Sequence, residues 1–169
     1  MTPLQRKFHR LIRATRTFDA GFYARNNPDL AGEEDLLAHY IVQGEAENRA
    51  PSPYFDPVWY RGQLRRVPEG HCLLAHYLTV GDGDGYQPMI GLDPAFVRAR
   101  AGRRDEPALV GYVRAVEAGR PVDPNRFFAA AWYGEQNPDV VAAGVDPYWH
   151  WVHVGADEGR LPSPDFNWF

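Results

Sequence analysis

His39-Tyr40-Ile41-Val42-Gln43-Gly44-Glu45-Ala46-Glu47-Asn48-Arg49-Ala50-Pro51-Ser52-Pro53 returns near the end of this chain as His150-Trp151-Val152-His153-Val154-Gly155-Ala156-Asp157-Glu158-Gly159-Arg160-Leu161-Pro162-Ser163-Pro164. Two reduced copies lie between them, His76-Tyr77-Leu78-Thr79-Val80-Gly81 and Gly111-Tyr112-Val113-Arg114. Self-similarity at a short fixed period marks a repeat architecture, in which each unit buries its apolar face against its neighbours. This constrains the fold strongly and the function weakly.

A second set of matched positions sets the period. Phe18-Asp19-Ala20-Gly21-Phe22-Tyr23 corresponds to Phe55-Asp56-Pro57-Val58-Trp59-Tyr60, Leu92-Asp93-Pro94-Ala95-Phe96-Val97 and Phe128-Ala129-Ala130-Ala131-Trp132-Tyr133, at spacings of 37, 37 and 36 residues. Asp followed by Pro reads as an N-cap and first helical residue: the carboxylate accepts from free N–H groups and Pro presets φ. The apolar residue before each cap can staple back onto the first turn. Asn27-Pro28-Asp29-Leu30 and Asn137-Pro138-Asp139-Val140 follow, and Pro disfavours helical geometry in the Asn before it, so the first helix breaks there.

A second helix is expected over residues 35–42, 73–80, 107–116 and 147–154. Gly44, Gly81 and Gly155 follow its last apolar residue, where a left-handed C-cap needs no Cβ. The expected fold is all-α: about four helical hairpins (residues 18–54, 55–91, 92–127 and 128–165) in one compact array, followed by the start of an abandoned fifth.

Residues 1–17 precede the array. Thr2-Pro3 can open a helix whose Leu4, Phe8, Leu11 and Ile12 share one face. Five of the 18 basic side chains lie in this head with no acid, leaving 13 basic against 22 acidic side chains beyond it. The head therefore carries +5 and the remainder −9. Such an amphipathic helix is expected to cap the first hairpin, its basic face meeting the acidic body; lying on an anionic membrane or docking on a partner are the alternatives. An acidic body does not suit a nucleic-acid binder. No apolar run is long enough to span a membrane and no Sec-type leader is visible, so synthesis in the cytoplasm is expected, with action at the cell surface or on a released particle. One cysteine, Cys72, forms no internal disulfide.

The polar residues of the repeat read as structural. His39, His76 and His150 share one register position and are expected to hold the adjoining loop. His150 and His153 have zinc-ligand spacing but no third ligand nearby in sequence. Glu47 with Arg49, and Glu158 with Arg160, are expected to pair and tie their loop to the next helix. Gly81-Asp82-Gly83-Asp84-Gly85 lacks the downstream Glu of a calcium loop and reads as a degenerate turn. No phosphate loop, nucleophile elbow or zinc-protease motif is present. The expectation is therefore no catalytic residue, no metal and no cofactor.

Taken together, Phe-Asp-x-x-(Phe/Trp)-Tyr, Asn-Pro-Asp-(Leu/Val), His-(Tyr/Trp)-x-x-x-Gly-x-x-Glu-x-Arg and Pro-Ser-Pro resemble a tandem repeat of bacterial surface-polysaccharide proteins. Similar segments accompany glycosyltransferases and occur in large secreted RTX-type proteins, and the pattern also resembles capsule-binding head spikes of phage-like gene transfer agents. The resemblance covers residues 18–169 and implies a non-enzymatic interaction module at the cell surface or on a particle, with surface polysaccharide or another protein as partner. The alternative it implies is an accessory domain of a glycosyltransferase system. Trp149 stands where other copies have Ala38, Ala75 and Val110, so it either fills an uncovered last interface or presents an indole to sugars. Tyr148, Glu158 and Arg160 would complete that glycan site. Phe166, Trp168 and Phe169 are expected to fold back on Trp149 and Trp151 or to insert into a neighbouring subunit.

Overall fold

The computed structural model describes residues 1–66, 70, 72–101, 103 and 105–166. Among them every regular element is helical, as the periodicity predicts, and the only strand-like pairing is an isolated bridge between Ser52 and Phe55. The chain forms two compact units, Met1–Ile90 and Gly91–Phe169.

The first unit opens with α1 (Pro3–Thr15). Thr2 and Gln5 form a capping box, and Arg16 ends the helix in the left-handed region. Phe8 and Ile12 are buried, and α1 packs on the second helices of both pairs that follow. Those pairs are α2 (Ala20–Asn26) with α3 (Leu36–His39), and α4 (Pro57–Gln63) with α5 (Leu73–His76). With α1 and α4 against it, α5 loses every polar face: Leu73, Leu74, Ala75 and His76 are all buried. Arg61 joins the two pairs, donating to Asn48 at 2.5 Å and Glu45 at 3.2 Å.

From α1, His9 reaches across to Asp35 at 3.2 Å, while Arg6, Lys7, Arg10 and Arg13 are exposed and make no ion pair with an acidic side chain among the described residues.

The second unit holds α6 (Pro94–Arg100) with α7 (Ala108–Glu117), then α8 (Ala130–Gln136), α9 (Pro138–Ala142) and α10 (Pro147–His150). The expected caps form in both units. Asp19 accepts from the Phe22 N–H, Asp56 from Val58 and Trp59, and Asp93 from Phe96. Ala129 has no such side chain, and Asp123 accepts from the Ala130 N–H in its stead. The staple is aromatic: Phe18, Phe55 and Phe128 lie 5.1, 5.2 and 5.2 Å from the rings of Tyr23, Tyr60 and Tyr133. Every pair is also closed by one backbone bond at its mouth. The cap-position N–H groups of Asp19, Asp56, Asp93 and Ala129 donate to the carbonyls of Pro51, Pro88, Pro124 and Pro162.

The glycines do not take the C-cap conformation expected of them. Gly44, Gly81 and Gly155 are not left-handed; each ends a π-helical turn, Tyr40–Gly44, Tyr77–Gly81 and Trp151–Gly155, that continues the second helix. Glu45, Asp82 and Ala156 donate to carbonyls five residues back, at 2.9, 3.0 and 2.9 Å. The left-handed residues come later, at Asn48, Gly85 and Gly159, with φ of 59°, 81° and 73°. The third pair has no π turn: α7 runs unbroken and its left-handed residue is Gly119. Tyr40 to Asn48, Tyr77 to Gly85 and Trp151 to Gly159 each span eight positions, whereas Tyr112 to Gly119 spans seven. A π turn is one residue inserted into an α-helix, and the third pair lacks that residue.

Candidate functional site

The π turns explain what Tyr, His and Gly do together. Tyr23, Tyr60 and Tyr133 are fully buried, and their hydroxyls lie 3.0, 2.7 and 2.9 Å from Nδ1 of His39, His76 and His150. A Cβ on Gly44, Gly81 or Gly155 would overlap that same hydroxyl. Glycine is needed there for close approach. Through Nδ1 the histidines therefore hold the first helix of their own pair. Burial pushes the Tyr23 phenol up to about 12 and raises Tyr60 and Tyr133 as well, so all three stay protonated hydrogen-bonding groups.

A second recurring cluster joins two motifs far apart in sequence. Arg49 donates to Glu47 at 2.6 Å, Asn27 at 2.8 Å and Asp29 at 3.0 and 2.8 Å. Arg160 repeats this with Glu158, Asn137 and Asp139. The expected Glu–Arg pairs form, but they clamp the loop to the Asn-Pro-Asp kink of the same pair and not to the next helix. The guanidinium holds Asp29 and Asp139 below the usual carboxylate range. The kinked Asn side chains, Asn27 and Asn137, also donate back to the Tyr23 and Tyr133 carbonyls.

In the degenerate second loop, Asp82 is buried and accepts from the Tyr77 hydroxyl at 2.8 Å. That carboxylate points into the protein. No group of three metal-ligating side chains occurs among the described residues.

A cleft of about 740 Å³ lies within the second unit. Val116, Val122, Val141 and Val145 form an apolar floor, with Glu135 and Asp146 as acids. Asp146 caps α10 through the Trp149 N–H at 2.8 Å and takes a hydrogen bond from Tyr112. Its enclosed carboxyl is pushed up to about 6 by burial. Asp35 holds the equivalent cap on α3, where the Ala38 N–H and His9 pull its carboxyl down.

Three positions after Asp146 stands Trp149, half-exposed, with the His153 ring stacked on it at 4.4 Å and 20°. His153 Nδ1 donates to the Trp149 carbonyl at 2.8 Å, which fixes the imidazole against the indole. This bond commits one nitrogen of His153 to the backbone, and His150 Nδ1 faces Tyr133.

Of the residues expected to surround Trp149, the structure gathers only some. Tyr148 is buried, packed on Phe128 and Trp151 with its hydroxyl beside Gly91, and offers sugars no face. Glu158 is exposed, and Arg160 is half-buried in its clamp. Trp151 donates Nε1 to the Arg160 carbonyl at 3.0 Å and packs on Phe128 and Tyr148, but it is half-buried where its equivalent Tyr40 is fully buried. Phe166 is half-exposed, whereas Trp168 and Phe169 lie outside the described residues. The cleft had no signature in the sequence, since its walls come from segments far apart in the chain. The Trp149–His153 contact, by contrast, lies four residues apart on one helix and was legible in the spacing. No family model, curated protein or solved structure matches the chain.

Proposed function

We propose that this protein is a non-enzymatic interaction module of a bacterial cell-surface or phage-like particle assembly, and that it binds surface polysaccharide. The observation carrying the reading is the Trp149–His153 stack. An indole at a position that elsewhere holds Ala or Val is kept half in water and held in one orientation by an imidazole. A pre-ordered aromatic face with a polar tip suits the apolar face of a pyranose ring, and little side-chain freedom is lost on contact. Exposed Glu158 supplies a hydrogen-bond acceptor for sugar hydroxyls.

The recurring polar residues support a binding role in another way. His, Tyr, Arg and Asp at the repeated positions are engaged with one another, which makes them fold determinants. A single stacking site binds weakly, so display in several copies would supply firm attachment.

The test is a glycan array on the intact chain beside a nucleotide-sugar turnover assay. Binding without turnover, reduced by Trp149→Ala, is the expected result. Turnover of a nucleotide sugar, or an array without a single positive glycan, overturns the proposal.

A further inference from the structure

The geometry points to a second polymer-binding element, the outer face of α1, as a docking strip for a linear acidic polysaccharide whose charges are carboxylates. The inference deepens the polysaccharide reading, on which it rests for the class of polymer, and concerns a different surface from Trp149.

Three observations carry it. The first is placement. At about 100° per residue, Arg6, Arg10 and Arg13 fall within a sector of roughly 60° opposite Phe8 and Ile12, and Lys7 lies about 60° beyond its edge. The inner side chains are buried and the four cations are exposed. Arg6 donates to the Met1 carbonyl at 2.8 Å; Lys7, Arg10 and Arg13 make no ion pair among the described residues. With a rise of ~1.5 Å per residue, Arg6 and Arg13 stand about 10 Å apart along the strip.

The second is the charge of what surrounds the strip. The rest of this unit, residues 18–90, carries 5 basic and 11 acidic side chains. Screening reaches only ~8–10 Å at ordinary ionic strength, so a thread lying along α1 meets the cations alone. A flat anionic bilayer would confront the acidic flanks as well. The helix has also spent its large apolar residues on the core, leaving Met1 and Leu4 as the exposed ones, too little to anchor in lipid.

The third is the chemistry of the heads. Three of the four exposed cations are arginines, whose planar forks match carboxylates two bonds at a time. No aromatic ring is exposed on α1 for bases to stack on, which disfavours single-stranded nucleic acid.

The experiment uses the full chain and polygalacturonate, a linear polyuronate, as the probe in affinity electrophoresis, with dextran as the neutral control. Arg6→Gln, Arg10→Gln and Arg13→Gln are combined in one variant, and thermal melting checks that it folds. The expected result is retardation by polygalacturonate and not by dextran, weakened at least about tenfold in the variant and by raised salt. A second variant, Arg10→Lys with Arg13→Lys, keeps the charge, and its binding should fall between the other two.

Equal retardation of wild type and triple variant, or no retardation of wild type, overturns the inference. So does tighter binding to phosphatidylserine vesicles or to oligothymidylate than to polygalacturonate. Trp149→Ala separates the two proposals: it should leave polygalacturonate retardation intact while reducing the neutral-glycan signal on the array.

Discussion

The second and third helix pairs begin alike and end differently. Each opens with Asp-Pro at the cap, Asp56-Pro57 or Asp93-Pro94, and each closes its mouth on a proline carbonyl. In the second, Tyr60, His76 and Gly81 meet around a π turn. In the third, Val97, Gly111 and an unbroken α-helix replace all of them. The difference shows that the Tyr hydroxyl, the imidazole, the bare Cα and the extra residue form one device. Removing the hydroxyl removes one hydrogen bond of the imidazole, and without the widened turn no glycine is needed.

The strongest way to break that comparison is to crowd the device. Gly81→Val drives a side chain into the buried Tyr60 hydroxyl and should destabilise by about 3 kcal/mol or more. Ala115→Gly in the unbroken α7 should cost only about 1 kcal/mol. Urea unfolding of both variants measures the contrast, and equal losses would dissolve it.

Next comes the cap at Asp146, set against its counterpart Asp35. The folded Asp146 carboxyl titrates at about 6, above an ordinary value of about 3.9. Between those pH values the folded protein keeps a proton that the unfolded chain has released, so stability falls as pH rises through the window and is flat above it. The contribution is roughly 2 to 3 kcal/mol. Asp146→Asn keeps a cap acceptor and should remove that slope from melting temperature between pH 4 and pH 6. A variant with an unaltered slope would show that the carboxyl does not titrate there. Asp35, depressed by its backbone bond and by His9, acts in the opposite sense: its stabilisation is lost as pH falls through its lowered value.

Tyr60→Phe removes one hydroxyl and its hydrogen bond to the buried His76 ring, at a cost of about 1 to 2 kcal/mol. Combined with Gly81→Ala, it should be less harmful than the sum of the two changes, because the clash goes with the hydroxyl. Strict additivity in that double-mutant cycle would separate the glycine from the tyrosine.

The smallest effect is expected at the clamp. Arg160→Gln should lower the melting temperature less than any change above and should raise protease sensitivity near the Asn137 kink. Cleavage unchanged from wild type would show that the clamp does not order the loop.

The sequence carried the helix starts plainly, since a cap such as Asp56-Pro57 is decided by neighbours within one turn. Its endings were harder. Gly44 could serve either positive φ or close approach, and the two cannot be separated without knowing that Tyr23 lies above it. The π turn keeps the same apolar spacing as an α-helix over its first residues, so periodicity predicts the helix and misses the inserted residue. The partner of Arg49 was missed because Asp29 sits 20 residues away, and Glu47, two residues away, looked sufficient. At the candidate site, Trp149 stood out as a departure from the repeat. Burial of Tyr148 did not, because the residues covering it come from elsewhere in the unit.

The bond from each cap-position N–H to a proline carbonyl fastens the ends of each hairpin over roughly thirty residues. Nothing outside the hairpin is required to make that fastening. A nascent chain can therefore complete one such loop while the next is still being synthesised, and contacts of short sequence separation favour rapid ordering. Hydrogen exchange should then show protection arriving hairpin by hairpin in chain order, each Asp19-type amide marking the moment its own loop shuts.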